Sequence, residues 1–339
     1  MDEAILMPTF DDVGSFPLPE GVGKTDVRVD KPPERQHYLE LVEDAMWLKL
    51  KAGVDVPTYP QFRDMSRMFL DIIEDPSLCT EPLVVDERNA HIMELEAVER
   101  AARRWSAEGG EPLKVRVCIT GPVELYLPLF GSSVYPDVLL QLARSTSAFV
   151  RHACTGYNLK VAAVCLDEPS LGLNPNIMFS EDDIIEALNR AAKGCNADVH
   201  VHLHSSLYYE TACRSDIDVV GVECASNPSN LEMVDMNILD ETDTHLRVGI
   251  ARSDIHSLAA QMSERYETNV WNHPELLERL VSEVETPEVI AARLERAVRM
   301  FGDRISYVGP DCGLGSWPSQ KIAAGLLGNV RKAIDMWQL

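Results

Sequence analysis

The chain has 339 residues, 45% of them hydrophobic, which is enough for a large packed core. Lys and Arg number 31 against 54 Asp and Glu, a formal net charge of −23 at pH 7. That balance argues against a nucleic-acid partner or an anionic membrane, because phosphates are repelled. The length fits two ordinary domains or one large barrel.

No run approaches the roughly 20 apolar residues that span a bilayer. The first residues, Met1-Asp2-Glu3-Ala4, carry acid where a secretory signal carries base. The expected location is the cytoplasm. The cysteines Cys79, Cys118, Cys154, Cys165, Cys195, Cys213, Cys224 and Cys312 include no CxxC pair. In so long a chain they read as small core residues, not as a disulfide framework. Cys312 is the exception, since it lies between Asp311 and Gly313 in a polar turn.

One unit recurs along the chain: a β-branched apolar run, a turn rich in Gly, Pro, Ser or Asp, then a segment with helical periodicity. It predicts strands at 4–8, 53–56, 115–120, 161–166, 199–204, 218–223, 246–251 and 305–309. Helical segments are expected at 35–52, 87–108, 137–158, 181–193, 275–301 and 319–337. In the last of these, Ile322, Ala323, Leu326, Leu327, Val330 and Ile334 make one apolar stripe, with Ser316 or Ser319 available as cap. Strands alternating with helices predict a parallel sheet covered by helices, and eight such strands close a (β/α)8 barrel. The fold class is therefore α/β: a TIM barrel in a single domain over 1–339, with a helical insertion at 258–290 before the last strand. A doubly wound open sheet is the alternative, but no G-x-G-x-x-G turn follows the first strand.

In such a barrel the chemistry belongs to the C-terminal ends of the strands. Those ends read Gly14-Ser15-Phe16-Pro17, Pro57-Thr58-Tyr59-Pro60-Gln61, Thr120-Gly121-Pro122, Asp167-Glu168-Pro169, His202-Leu203-His204-Ser205-Ser206, Glu223-Cys224, Asp254-Ile255-His256-Ser257 and Asp311-Cys312-Gly313. His200, His202 and His204 alternate on one strand, so they share a face. Two such imidazoles can converge on one ion, with Glu223 and Cys312 adding a carboxylate and a thiolate. Nitrogen, oxygen and sulfur donors in fourfold coordination suit Zn²⁺. His200 is read as a deeper, structural residue. The bland alternative is a hydrogen-bonded His-x-His pair beside an ordinary strand-end Glu.

The rim also carries an ordered set of motifs: Val13-Gly14-Ser15-Phe16-Pro17, Asp64-Met65, Thr120-Gly121-Pro122-Val123, Leu166-Asp167-Glu168-Pro169, His200-Val201-His202-Leu203-His204-Ser205-Ser206, Asp254-Ile255-His256-Ser257 and Pro310-Asp311-Cys312-Gly313-Leu314. The set resembles the C-terminal catalytic barrel of cobalamin-independent methionine synthase over nearly the whole chain, and more closely its short single-domain archaeal relatives. The uroporphyrinogen-decarboxylase-like methyltransferases share the barrel more distantly.

The resemblance implies a zinc-dependent thiol S-methyltransferase that makes methionine from homocysteine. It makes His202, Glu223 and Cys312 zinc ligands, with His204 where the family has a second Cys. That exchange leaves the site one unit less negative. Asp167, beside Glu168, matches the acid that holds the acceptor's amino group, and the Gly14-Ser15 backbone matches the part that binds its carboxylate. His256 matches a His that shuttles a proton near the methyl donor. Tyr59 stands where the family has a Glu near the acceptor's ammonium. The family's large N-terminal half is missing, which implies a methylated corrinoid, or a corrinoid protein, as donor; methyltetrahydrofolate is the other candidate. Tyr59 motivates a second acceptor, another thiol such as coenzyme M, whose sulfonate would want a cation such as Arg63 or Arg252. His204 motivates a different class, a non-catalytic zinc- or corrinoid-binding protein.

Overall fold

Runs such as Val161–Leu166 and Val219–Val222 are apolar on both faces, and such strands are stable only when covered on both sides. The computed structural model describes residues 7–337. In chain order its elements are β1 (Thr9–Phe10), α1 (Pro32–Lys51), α2 (Arg67–Ile73), β2 (Cys79–Glu81), β3 (Val84–Val85), α3 (Glu94–Ala107), β4 (Lys114–Thr120), α4 (Pro122–Phe130) and α5 (Pro136–Thr155). They continue with β5 (Lys160–Asp167), α6 (Glu181–Ala192), β6 (Asp198–Leu203), α7 (Tyr209–Cys213), β7 (Val219–Val222), α8 (Ser229–Glu232) and α9 (Met236–Thr242). The last are β8 (His245–Ala251), α10 (Ile255–Arg265), α11 (Pro274–Glu278), α12 (Leu280–Glu283), α13 (Pro287–Phe301), β9 (Ile305–Pro310) and α14 (Gln320–Trp337).

Among the described residues, seven parallel strands form one sheet in the order β1-β9-β8-β7-β6-β5-β4, and β2 and β3 form a separate hairpin. An extended segment joins the two edges of the sheet: Val56 bridges Asp11 beyond β1, and Thr58 bridges Arg116 in β4. The segment serves as the eighth stave of the α/β barrel. It lies slightly later than the strand expected at 53–56. Residues 4–6 of the expected first strand lie outside the described residues, and β1 begins at Thr9. No helix among the described residues is long and apolar enough to cross a membrane.

The helices follow their apolar stripes. α1 buries Leu39, Val42, Ala45, Met46 and Lys49, one face at three- and four-residue spacing. Ser180 accepts from Asp183 N and caps α6, while Ser319 Oγ accepts from Ile322 N at the start of α14. The helix expected over 275–301 is broken. Thr286 caps a new helix at Pro287, because the residue before a proline is pushed out of helical backbone. The expected insertion at 258–290 is the rest of α10 followed by the short α11 and α12. The helix expected from 87 starts at Glu94, after a single turn at 87–89.

Charge fills the barrel interior. Asp11 pairs with both Arg116 and Arg247, and all three side chains are fully buried. Arg247 also donates to Pro310 O at 2.9 Å. Burial, with Arg116 and Arg247 nearby, holds His200 and His202 well below the ordinary imidazole pKa, so both rings are neutral. One expectation about cysteine is corrected. Cys154, at the end of α5, and Cys195, after α6, form a disulfide with Cα atoms 6.2 Å apart. The packing of α5 on α6 brings together residues 41 apart in the chain. Cys118, Cys165, Cys213 and Cys224 are buried free thiols, as expected.

Candidate metal centre and active site

β6 carries His202 to the C-terminal rim, and the chain leaving it carries His204. β7 ends one residue before Glu223, and β9 ends two residues before Cys312. One ligand atom from each of these four residues lies within 4.8 Å of all the others. His204 Nε2 is 3.3 Å from Glu223 Oε1 and 3.4 Å from Cys312 Sγ. The His202 and His204 ring centroids are 5.2 Å apart. Both ring nitrogens of His202 are buried without a hydrogen-bond partner. Neutral imidazoles with free lone pairs, a carboxylate and a thiol within one small sphere form a donor set that fits Zn²⁺.

The protonation states agree with that fit. Burial, then Asp311, pushes Glu223 up to about 7. Burial and the neighbouring Glu223 push the Cys312 thiol far up. These groups crowd together and resist ionising with nothing positive between them. A dication reverses that preference.

Two residues to which the sequence reading gave no role, Asp311 and Asn230, lock the cluster. Asp311 Oδ1 accepts from Cys224 N and Ala225 N, both at 2.8 Å, and Oδ2 accepts from Ser226 N at 2.7 Å. The loop after Glu223 is thereby tied to the residue before Cys312. Asn230 Nδ2 donates to Glu223 O at 2.8 Å and His204 O at 3.2 Å, which ties the β6 and β7 loops together. A third is Lys49, fully buried, whose Nζ donates to Asp12 Oδ2, Gly14 O and Thr58 O at 2.6–2.9 Å. Its sequence signal is a lysine on the core stripe of α1. It fixes the Gly14 turn against the Val56–Thr58 stave.

Of the other rim residues, some come together and some do not. Asp167 is buried beside His202 in register, and its Oδ1 has no partner. Burial raises its pKa, and Arg116 opposes the rise. Ser15 lies against the turn after Cys312: Leu314 N donates to Ser15 O at 2.7 Å, and a Cβ on Gly313 would meet Ser15 Oγ at 2.0 Å, so only glycine fits there. Glu168 is turned away. Its two oxygens accept from Val123 N and Glu124 N at the start of α4. Tyr59 is 1% exposed and donates to Cys118 O at 2.5 Å, which leaves its hydroxyl engaged in the core. His256 stands exposed on the first turn of α10, its ring 5.6 Å from that of Trp271, in a separate hollow outside the four-residue cluster. Arg63 makes two hydrogen bonds to Glu94, and Arg252 makes two to Asp254, so both guanidiniums are committed. A recess of about 880 Å³ opens beside the cluster, lined by Ser15, Phe16, Gln61, Arg63, Gly313 and Trp317 among others.

A parallel barrel with His, His, Glu and Cys converging on its C-terminal rim has the general layout of a (β/α)8 enzyme with a candidate metal site. No family model matches the chain. The chain is similar to the methionine synthases of Pyrococcus abyssi and Sulfurisphaera tokodaii, each 25% identical across 98% of this chain and 93% of the relative. It is also 24% identical to the Thermococcus kodakarensis methionine synthase over 76% of this chain, a match that spans 62% of that protein's length. Among solved structures, a B12-independent methionine synthase from Shewanella sp. W3-18-1, in complex with selenomethionine, superposes with a TM-score of 0.68 at 13% identity over 98% of both chains. The resemblance read from the motifs therefore runs nearly the length of the chain, which is similar to these methionine synthases over 98% of its residues.

Proposed function

We propose that the protein is a zinc-dependent methyltransferase that transfers a methyl group to the sulfur of homocysteine, giving methionine. The observation that carries this is the convergence of His202, His204, Glu223 and Cys312 within 4.8 Å. Similarity to named methionine synthases along nearly the whole chain supports the reaction class.

Zinc, when bound there, would take up the acceptor's sulfur and remove its proton, which makes a nucleophile from a thiol whose ordinary pKa is about 8.5. The protein's own residues do the rest. Glu223 and Cys312, once deprotonated, offset the two positive charges, and the neutral imidazoles of His202 and His204 add no charge. Asp311 and Asn230 tie together the loops that carry His204, Glu223 and Cys312, so less ordering remains for binding to supply. Asp167 faces the acceptor's ammonium and the Gly14-Ser15 backbone its carboxylate. His256, exposed beyond the cluster, exchanges a proton with a donor that needs one, as a methylated folate does at nitrogen. A sulfonate acceptor such as coenzyme M fits less well, because Arg63 and Arg252 are already paired.

The test is methionine formation from homocysteine with methyltetrahydrofolate and, separately, with methylcobalamin. The zinc-loaded protein is expected to use one of them. No methionine from either, with zinc bound, refutes the reading.

A further inference from the structure

A second group of ligating side chains lies deeper in the barrel. β4 and β5 pair in parallel with Cys118 opposite Cys165 and Thr120 opposite Asp167. Side chains alternate along a strand, so Arg116 and Cys118 share one face of β4, and Cys165 and Asp167 share one face of β5. Arg116 pairs with the same Asp11 that takes Arg247 from β8, so that face is the interior one. One ligand atom each from Cys118, Cys165 and Asp167 lies within 4.8 Å of the other two. None of the three is among the four rim donors.

Buried thiols alone are ordinary small core residues. A buried carboxylate beside them is not. Asp167 is 3% exposed, and its Oδ1 has no hydrogen-bond partner. Arg116 leaves Nε and Nη2, both buried, without an acceptor. Bare buried polar atoms are costly, so an occupant that engages them is favoured.

Two thiolates and a carboxylate within one small sphere suit a thiophilic cation. A dication that displaces two thiol protons leaves the net charge of the interior unchanged. The thiolates it creates are acceptors for the idle N–H groups of Arg116, which neutral thiols serve poorly. Ligation through one oxygen of Asp167 leaves the other for an ammonium at the rim, so the role given to Asp167 above is not excluded. Cys118 and Cys165 have no exposure and Asp167 has a little, so a cation enters from the rim.

We propose that Cys118, Cys165 and Asp167 form a second metal site, deeper than the rim cluster, for a thiophilic dication of the Zn²⁺ or Cd²⁺ class. It has three protein donors against four at the rim, so the rim fills first and the interior site takes the second equivalent. The proposal rests on these residues and not on the methyltransferase reading.

The test is an anaerobic Cd²⁺ titration of the full chain. It is read by the ultraviolet thiolate-to-cadmium charge-transfer band and by metal bound per chain after gel filtration. Wild type is expected to bind two Cd²⁺. The first engages one thiolate and the second engages two, so the second absorbance step should be about twice the first. Cys118→Ser and Cys165→Ser are expected to lose the second ion and to bind the first within about twofold of wild type, which also shows that they fold. Cys312→Ser should do the reverse, keeping one ion with the larger absorbance step. Saturation of wild type at one Cd²⁺ overturns the proposal. So does a second ion that survives in both Cys118→Ser and Cys165→Ser, which places it elsewhere. Should a serine variant fail to fold, the wild-type count and the Cys312→Ser step decide the matter alone.

Discussion

Two polar sets share the barrel, and they differ in kind. Midway along the strands the buried charges are cationic: Arg116 and Arg247 flank one carboxylate, Asp11, with neutral His200 beside them. At the C-terminal rim the groups are electron-pair donors: His202, His204, Glu223, Cys312 and Asp167. The inner set is tied together by ion pairs through Asp11, although Arg116 Nε and Nη2, Arg247 Nη1 and both His200 nitrogens are left without a partner. The rim set also leaves both His202 nitrogens and an Asp167 oxygen unanswered, but there His202, His204, Glu223 and Cys312 each offer an electron pair within 4.8 Å of the others, an arrangement one cation can engage. The inner set also acts on the outer. Arg247 and Arg116 help keep His202 deprotonated, so its lone pair stays available for a cation.

Breaking the inner set should have the largest effect. Asp11→Ala strands two buried guanidiniums and is expected to destabilise the fold by ~3–5 kcal/mol in chemical denaturation. A loss under ~1 kcal/mol would mean that another anion already balances them. At the rim, Cys312→Ser is expected to weaken zinc binding by more than about 100-fold, beyond the effect of a residue outside the ligand set, with little change in the stability of the metal-free protein. His204→Cys, by contrast, should keep the metal and tighten it. Loss of metal in that variant removes His204 from the ligand set.

The next effect sharpens the division between cluster and outer rim. His256→Ala is expected to slow turnover with methyltetrahydrofolate by about 100-fold and to leave thiol binding unchanged. An equal loss of thiol binding would bring His256 into the cluster. Asp311→Ala, which releases the loop after Glu223, is expected to cost about 10- to 100-fold in zinc affinity. The smallest effect is in pH. Binding displaces a proton from Cys312 at all ordinary pH values and from Glu223 only below its pKa of about 7. Proton release measured by calorimetry should therefore fall from about two per zinc at pH 6 to about one at pH 8. A constant value across that range would mean that Glu223 is not a ligand.

Much of this was legible in the chain itself. β-branched runs marked the strands from 115 onward, and reading only their last residues collected all four members of the metal cluster. What stayed hidden depends on long-range packing. Nothing local links Lys49 to Thr58 O, Asp311 to the amides of 224–226, or Cys154 to Cys195. An ungapped match along the loop put Tyr59 beside the acceptor, and such a match cannot tell that its hydroxyl turns to Cys118 O in the core. Glu168 looked like a substrate acid for the same reason: its partners, the amides of Val123 and Glu124, lie 44–45 residues away. The break at Pro287 was written in the sequence, but the apolar spacing across 275–301 masked it.

The most direct measurement is X-ray absorption at the zinc edge of the loaded protein, before and after adding homocysteine. With His202, His204, Glu223 and Cys312 around one ion, the spectrum should show a single sulfur near 2.3 Å among nitrogen and oxygen neighbours, and a second sulfur once the thiol is present. A spectrum with no sulfur at the start, or one that the thiol leaves unchanged, contradicts the account.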